Sequence, residues 1–106
     1  MVRILAFDIG ASSGRAIVGI LENEILKLDE IYRFRNEGVC VNNSLYWDVL
    51  RIFQKMKKSL LIYVKKYGHI LDSIGVNTWG VDFVLLDEND ELIGPIYHYR
   101  DNRTDG

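Results

Sequence analysis

A chain of 106 residues sets the scale of one small domain, or of part of a larger one. Thirteen basic and fifteen acidic side chains give a net charge of -2, which excludes the strong positive excess of a dedicated nucleic-acid binder. The 48% apolar content excludes a disordered chain, and a single proline, Pro95, excludes a Pro-rich linker. Residues 2–7 form an apolar run, punctured by Arg3, that reads as a buried strand stopping at Asp8. Residues 10–14 (GASSG) are small, polar and turn-forming. Residues 15–21 resume as a strand. Residues 22–24 make a tight turn, with Asn23 suited to a left-handed conformation, and residues 25–34 follow as a third strand.

Residues 36–43 read as a loop containing Gly38, Asn42 and Asn43. A helix follows, capped by Asp48. Its apolar face is predicted as Val49, Phe53, Met56, Leu60, Val64 and Tyr67, which recur at steps of three and four. Lys65 and Lys66 favour the helix C-terminus, and Gly68 stops it. Residues 73–76 are a short strand ending at Asn77. Residues 82–86 and 92–93 flank a turn and predict a hairpin, and residues 97–99 predict a last strand. Three strands, a crossover helix and a further strand make a mixed sheet with a helix on its face, an α/β arrangement.

Other features bound the setting. Cys40 is alone, so no intrachain disulfide or cysteine zinc site can form, which fits a reducing compartment. The apolar run at the N-terminus is too short for a signal-peptide core or a membrane span, so a cytoplasmic location is expected. The helix carries Arg51, Lys55, Lys57, Lys58, Lys65 and Lys66 and no acid. Opposite an apolar stripe, such charge reads as a solvated face. His69 and His98 are too few and too far apart to argue a metal site or a triad.

Three segments could carry chemistry. In the first, residues 8–15, glycines allow positive φ and close approach of N–H groups to an anion, while Ser12 and Ser13 add hydroxyls. Asp8, expected to be buried at a strand end, could hold hydrated Mg²⁺. Neither GxxxxGK[ST] nor GxGxxG is present, and the loop runs into β-branched residues. A phosphate loop between two strands and a plain hairpin turn both fit. In the second, residues 75–83, Gly80 allows close approach, Asp82 could accept polyol hydroxyls and Trp79 could pack on the carbon face. A strand end with Trp79 in the core and Asp82 on the surface also fits. In the third, residues 97–104, Tyr99 could line a pocket and Arg100 and Arg103 could pair with acids, or the stretch is a solvated tail.

Together these segments resemble the FGGY carbohydrate kinases, in the form typical of rhamnulokinases. Phe7-Asp8-Ile9-Gly10-Ala11-Ser12-Ser13-Gly14-Arg15 is similar to the N-terminal phosphate motif. Asp72-Ser73-Ile74-Gly75-Val76-Asn77-Thr78-Trp79-Gly80-Val81-Asp82-Phe83-Val84-Leu85-Leu86-Asp87 resembles the substrate segment, and Tyr99-Arg100-Asp101-Asn102-Arg103-Thr104 matches the stretch after it. Order and spacing agree along the whole chain. The resemblance implies an actin-like, ribonuclease H-like fold and transfer of the γ-phosphoryl group of ATP to L-rhamnulose. By position, Ala11, Ser12, Ser13, Gly14 and Arg15 would contact ATP, Asp8 would sit by Mg²⁺, and Gly80 would lie in the sugar site. Trp79, Asp82 and Tyr99 are further sugar-site candidates. Asn77 departs from the family's usual Asp, which leaves any ionic role there open.

Members of the family are several hundred residues long, and their catalytic base, an Asp, lies in a later motif. The resemblance therefore implies an N-terminal part of the kinase's N-terminal lobe, covering residues 1–106, with no catalytic residue of its own and no activity alone. It also implies an exposed apolar sheet face and self-association, because one helix cannot cover both faces of such a sheet. Another sugar kinase of the family, or a non-catalytic sensing module on the same fold, would leave the same motifs.

Overall fold

The computed structural model describes residues 1–101. Arg103 and the rest of the final matching stretch after Asp101 lie outside the described residues. Three strands, β1 (Val2–Ile9), β2 (Ser13–Glu22) and β3 (Ile25–Arg35), form an antiparallel meander. Asn23 and Glu24 both take positive φ, at 53° and 63°. Two left-handed residues in a two-residue loop match the twist of the flanking strands, so the predicted turn forms as the sequence requires.

Residues 36–43 differ from the predicted loop. They contribute β4 (Val39–Val41), which pairs with β5 (Ser44–Trp47). Asn42 and Asn43 have positive φ and close this second hairpin. The strands are short and β4 is exposed, so neither offers the alternation that marks a longer strand.

The helix α1 (Val49–Tyr67) begins where Asp48 accepts a hydrogen bond from the Arg51 amide at 3.1 Å. It ends at Gly68, whose N–H reaches the Val64 carbonyl with φ at 87°. Its buried face is rotated from the predicted one. Phe53 is exposed, and the face is centred on Ser59 and Tyr63, with Ile52, Met56, Leu60, Val64 and Tyr67 around them. Counting apolar letters misses a serine, but Ser59 is satisfied by donating to the Lys55 carbonyl at 2.9 Å. A polar group so partnered can be buried at little cost.

After the helix, β6 (Ser73–Asn77) lies parallel to β1 and completes a four-stranded sheet in the order β3-β2-β1-β6. The crossover is fastened at its end: Asp72 accepts from the Arg3 amide at 2.8 Å and its own N–H donates to the Arg3 carbonyl. A second sheet takes the order β4-β5-β7, where β7 is only Ile96–Tyr97, shorter than the predicted last strand. Residues 82–86 and 92–93 make one bridge, Leu86 to Leu92, rather than a full hairpin. The core is the helix-facing side of the large sheet: Leu5, Phe7, Ile9, Ala16, Val18 and Phe34 against Tyr63. Among the described residues no helix is long and apolar enough to cross a membrane.

Candidate functional site

Strand register builds the first part of the site. Asp8 stands opposite Arg15 on β2 and opposite Asn77 on β6, so the three side chains form a row across the sheet. Arg15 donates to Asp8 Oδ2 at 2.6 Å, and the Asn77 amide donates to Oδ1 at 3.2 Å. The expectation of a buried, unpartnered carboxylate is corrected here. Alternation along β1 turns Asp8 away from the helix-covered face, where it is half-exposed and has a donor on each oxygen. These hydrogen bonds, Arg15 first and Asn77 second, hold the Asp8 carboxyl below its ordinary pKa. Asn77 thus supplies a donor where a second carboxylate would repel the first.

The turn joining β1 to β2 is fixed by its carbonyls. The Gly10 amide donates to the Ser13 carbonyl at 2.8 Å. The Asn36 side chain donates to the Gly10 carbonyl at 2.7 Å, and the Asn36 amide donates to the Ser12 carbonyl at 3.0 Å. With those acceptors engaged, the turn can present amide and hydroxyl donors outward, as an anion-binding loop must. Asn36 is 3% exposed and its type at a strand end gave no sign of this latch. The glycines work differently from expectation, because neither Gly10 nor Gly14 has positive φ. Gly14 is instead a close-packing residue: a Cβ there would stand 2.3 Å from the Phe34 ring.

Beside the turn lies an open cleft of about 450 Å³ whose walls include Ala11, Ser12, Arg35, Asn36, His98 and Arg100. Two guanidinium-bearing residues, Arg35 and Arg100, therefore share this cleft with the loop. Ser13, Gly14 and Arg15 belong to β2, with Arg15 turned to Asp8.

The second part of the site is an aromatic corner. Trp47, at the end of β5, is sandwiched between Trp79 (ring centroids 4.2 Å apart) and His98 (3.9 Å apart, nearly parallel). Tyr99 stands 6.3 Å from the Trp47 ring. Both indole N–H groups, from Trp47 and Trp79, donate to Asp82 Oδ2 at 2.6 Å. His98 is buried, and that desolvation lowers its pKa below the ordinary 6.5 despite the opposing charge of Asp82. His98 also lines the cleft beside the turn, so the corner and the loop are neighbours.

A larger cleft of about 710 Å³ has Asp82, Tyr99, Phe83, Pro95 and Ile96 among its walls. Asp82 and Tyr99 thus line one cleft. Trp79 supports Asp82 from behind, and Gly80 has open space where a side chain would project. Val81 takes φ of 67°, a strained conformation for a β-branched residue, at the edge of this cleft. Trp47 and His98 were missed by sequence reasoning, because their partners lie 35 and 16 residues away on other elements in Asp82. Among the described residues no cluster of three or more metal-ligating side chains occurs.

No family model matches the chain. It is similar to the rhamnulokinase of Oceanobacillus iheyensis, at 49% identity over 102 residues, covering 96% of this chain and 22% of that protein. It is 44% identical over 108 residues to the rhamnulokinase of Mannheimia succiniciproducens, covering 100% of this chain and 22% of that protein. Among solved structures, a ligand-bound xylulose kinase from Lactobacillus acidophilus superposes with a TM-score of 0.74 at 14% identity, over 96% of this chain and 20% of that one. A gluconate kinase from the same organism gives the same TM-score over 94% of this chain. The chain spans about a fifth of the length of the proteins it matches. The fold is a partial actin-like domain shared with these sugar kinases, and by its sequence the chain is similar to about a fifth of the length of rhamnulokinases.

Proposed function

We propose that residues 1–106 form the N-terminal part of the N-terminal lobe of an ATP-dependent kinase that converts L-rhamnulose to L-rhamnulose 1-phosphate. The observation that carries this reading is the adjacency of the turn at residues 10–13 and the aromatic corner that holds Asp82, through one shared residue, His98. In the reaction a sugar hydroxyl oxygen attacks the γ-phosphorus, an O–P bond forms, and the bond to the bridging oxygen breaks to release ADP. Such transfer depends mainly on positioning and charge neutralisation.

The chain's own residues serve those two ends. Ala11 and Ser12 at the turn, with Ser13 and Gly14 behind them, would contact the phosphates, and Asn36 holds the turn in shape. Arg15 would neutralise phosphate charge from its place beside Asp8. Mg²⁺ commonly binds through one carboxylate, waters and substrate phosphates, and Asp8 fits that limited role, supplying charge neutralisation when the ion is bound. Asp82 and Tyr99 would accept and orient sugar hydroxyls, and Gly80, two residues before Asp82, leaves open space where a side chain would project. The proton of the attacking hydroxyl goes to a base outside this chain, so the chain alone has no kinase activity. On this reading the protein works in the cytoplasm, with its sugar and ATP.

The test is a substrate panel on the whole kinase. L-Rhamnulose should give the highest kcat/KM among ketoses including fuculose and xylulose, and Asp8→Ala should abolish turnover. Phosphorylation of L-rhamnulose by the 106-residue chain alone, lost on Asp8→Ala, would contradict the division of labour.

A further inference from the structure

We infer that Trp47 is a positioning residue of the sugar site, through a shared carboxylate that it and Trp79 clamp from two sides. This rests on the proposed reading of the larger cleft as the sugar site. Both tryptophans of the chain direct their indole N–H groups at one oxygen, Asp82 Oδ2, each at 2.6 Å. Two charge-assisted bonds on one oxygen fix the plane of the carboxylate and leave Oδ1 as its other acceptor. Asp82 is on the wall of the 710 Å³ cleft, whereas Trp47 is 5% exposed and is not among the residues that line it. Trp47 therefore cannot reach a ligand there. It acts through Asp82.

The orientation of Trp47 is itself determined. Its ring is held between Trp79 and His98, at 4.2 and 3.9 Å. Its backbone is held by β5, where Trp47 pairs with Ile96 of β7. Nearby, the Leu45 amide donates to the buried Asp101 carboxylate at 2.7 Å. The hairpin of β4 and β5, remote in sequence from the motif at residues 75–83, is thus the support on which the acceptor of that motif rests. A carboxylate that meets a polyol must offer an oxygen in a fixed direction, since a small tilt forfeits the hydrogen bond. The clamp also disfavours rotation of Asp82 towards bulk water.

Two measurements test this. The first uses the chain with its tryptophans ¹⁵N-labelled, each indole resonance assigned from a Trp→Phe variant. Asp82→Asn should move both indole N–H resonances upfield together, because both lose the same ionic acceptor. Movement of only one, or of neither, overturns the shared clamp. The second uses the whole kinase with L-rhamnulose and ATP. Trp47→Phe keeps the stacked ring and removes the donor. The KM for sugar should rise about tenfold, the loss expected for one hydrogen bond to a charged group, while the KM for ATP stays within about twofold. A merely structural role would move both constants or neither, and either result overturns the inference. If Asp82→Ala leaves the sugar KM unchanged, the reading of the cleft falls, and the indole resonances still decide separately whether the clamp exists.

Discussion

Gly14 shows how one residue can satisfy a motif for a reason unrelated to the ligand. A Cβ at this position meets three atoms of the Phe34 ring at 2.3–2.8 Å, and Phe34 is itself part of the core. Gly14→Ala should therefore destabilise the chain by about 1–3 kcal/mol, the usual range for overpacking. Chemical denaturation measures this, and Phe34→Leu in the same chain should recover part of the loss. Full additivity of the two substitutions would show that the ring is not the obstacle. His98 gives a second residue-scale expectation. Its pKa is lowered in the folded chain, so folding favours the neutral form. The unfolded chain binds more protons below pH 6.5, and stability is present above that value and lost as pH falls through it. Asp8 and Asp29 are also lowered, the latter by its bonds to Lys66 and Tyr67, and their contribution is lost only below 3.8. Acid weakening should thus come in two stages. Melting temperatures of the chain and of His98→Gln should diverge between about pH 7 and 5, and equal slopes there would refute the assignment.

At the scale of elements, the difference between the predicted and observed faces of α1 has an energetic signature. Tyr63 is 1% exposed, and its hydroxyl donates to the Ile70 carbonyl, tying the helix to the segment that leads into β6. Phe53 is 58% exposed. Tyr63→Ala should cost about 3–5 kcal/mol, as for a large core aromatic, whereas Phe53→Ala should stay within about 0.5 kcal/mol. Urea titrations with matched slopes compare the two, and a cost at Phe53 equal to that at Tyr63 would restore the predicted face. What could be read beforehand follows the same physical line. The meander, the capped helix and β6 have local signals: alternation, an Asp cap, a glycine stop. The second hairpin shows only its Asn42-Asn43 turn, and the aromatic corner has no local signal, because Trp47 meets Trp79, Asp82 and His98 only once the strands are paired. Asp8 and Arg15 were legible as candidates from type and place, but their pairing depends on a register that the GASSG turn sets. Ser59 and Asn36 were illegible because their burial depends on partners, the Lys55 and Gly10 carbonyls, that no residue pattern displays.

For the whole molecule, coverage is unequal. The helix covers one face of the large sheet, while β6 is an edge strand exposed along its length, with Ile74 and Val76 both more than half exposed. Phe83 and Leu85 are exposed apolar side chains as well. An exposed apolar edge invites pairing with another chain. The chain by itself should therefore self-associate in a concentration-dependent way, and a charge at the edge, Val76→Lys, should reduce this. Light scattering decides: a monomer at every concentration, for parent and variant alike, would remove the edge as a contact.

The parallel pairing of β1 with β6 also orders events in time. Asp8 and Asn77 are partners across 69 residues, whereas Asp8 and Arg15 are partners across seven. Contacts close in sequence form sooner, because less chain must be closed to make them. During synthesis the meander and its turn can assemble while later residues are still being made. The corner around Trp47 must wait for Asp82, 35 residues further on. A nascent chain thus acquires the paired Asp8 and Arg15 and their turn before the aromatic corner exists, and a ribosome paused between the two would carry the first without the second.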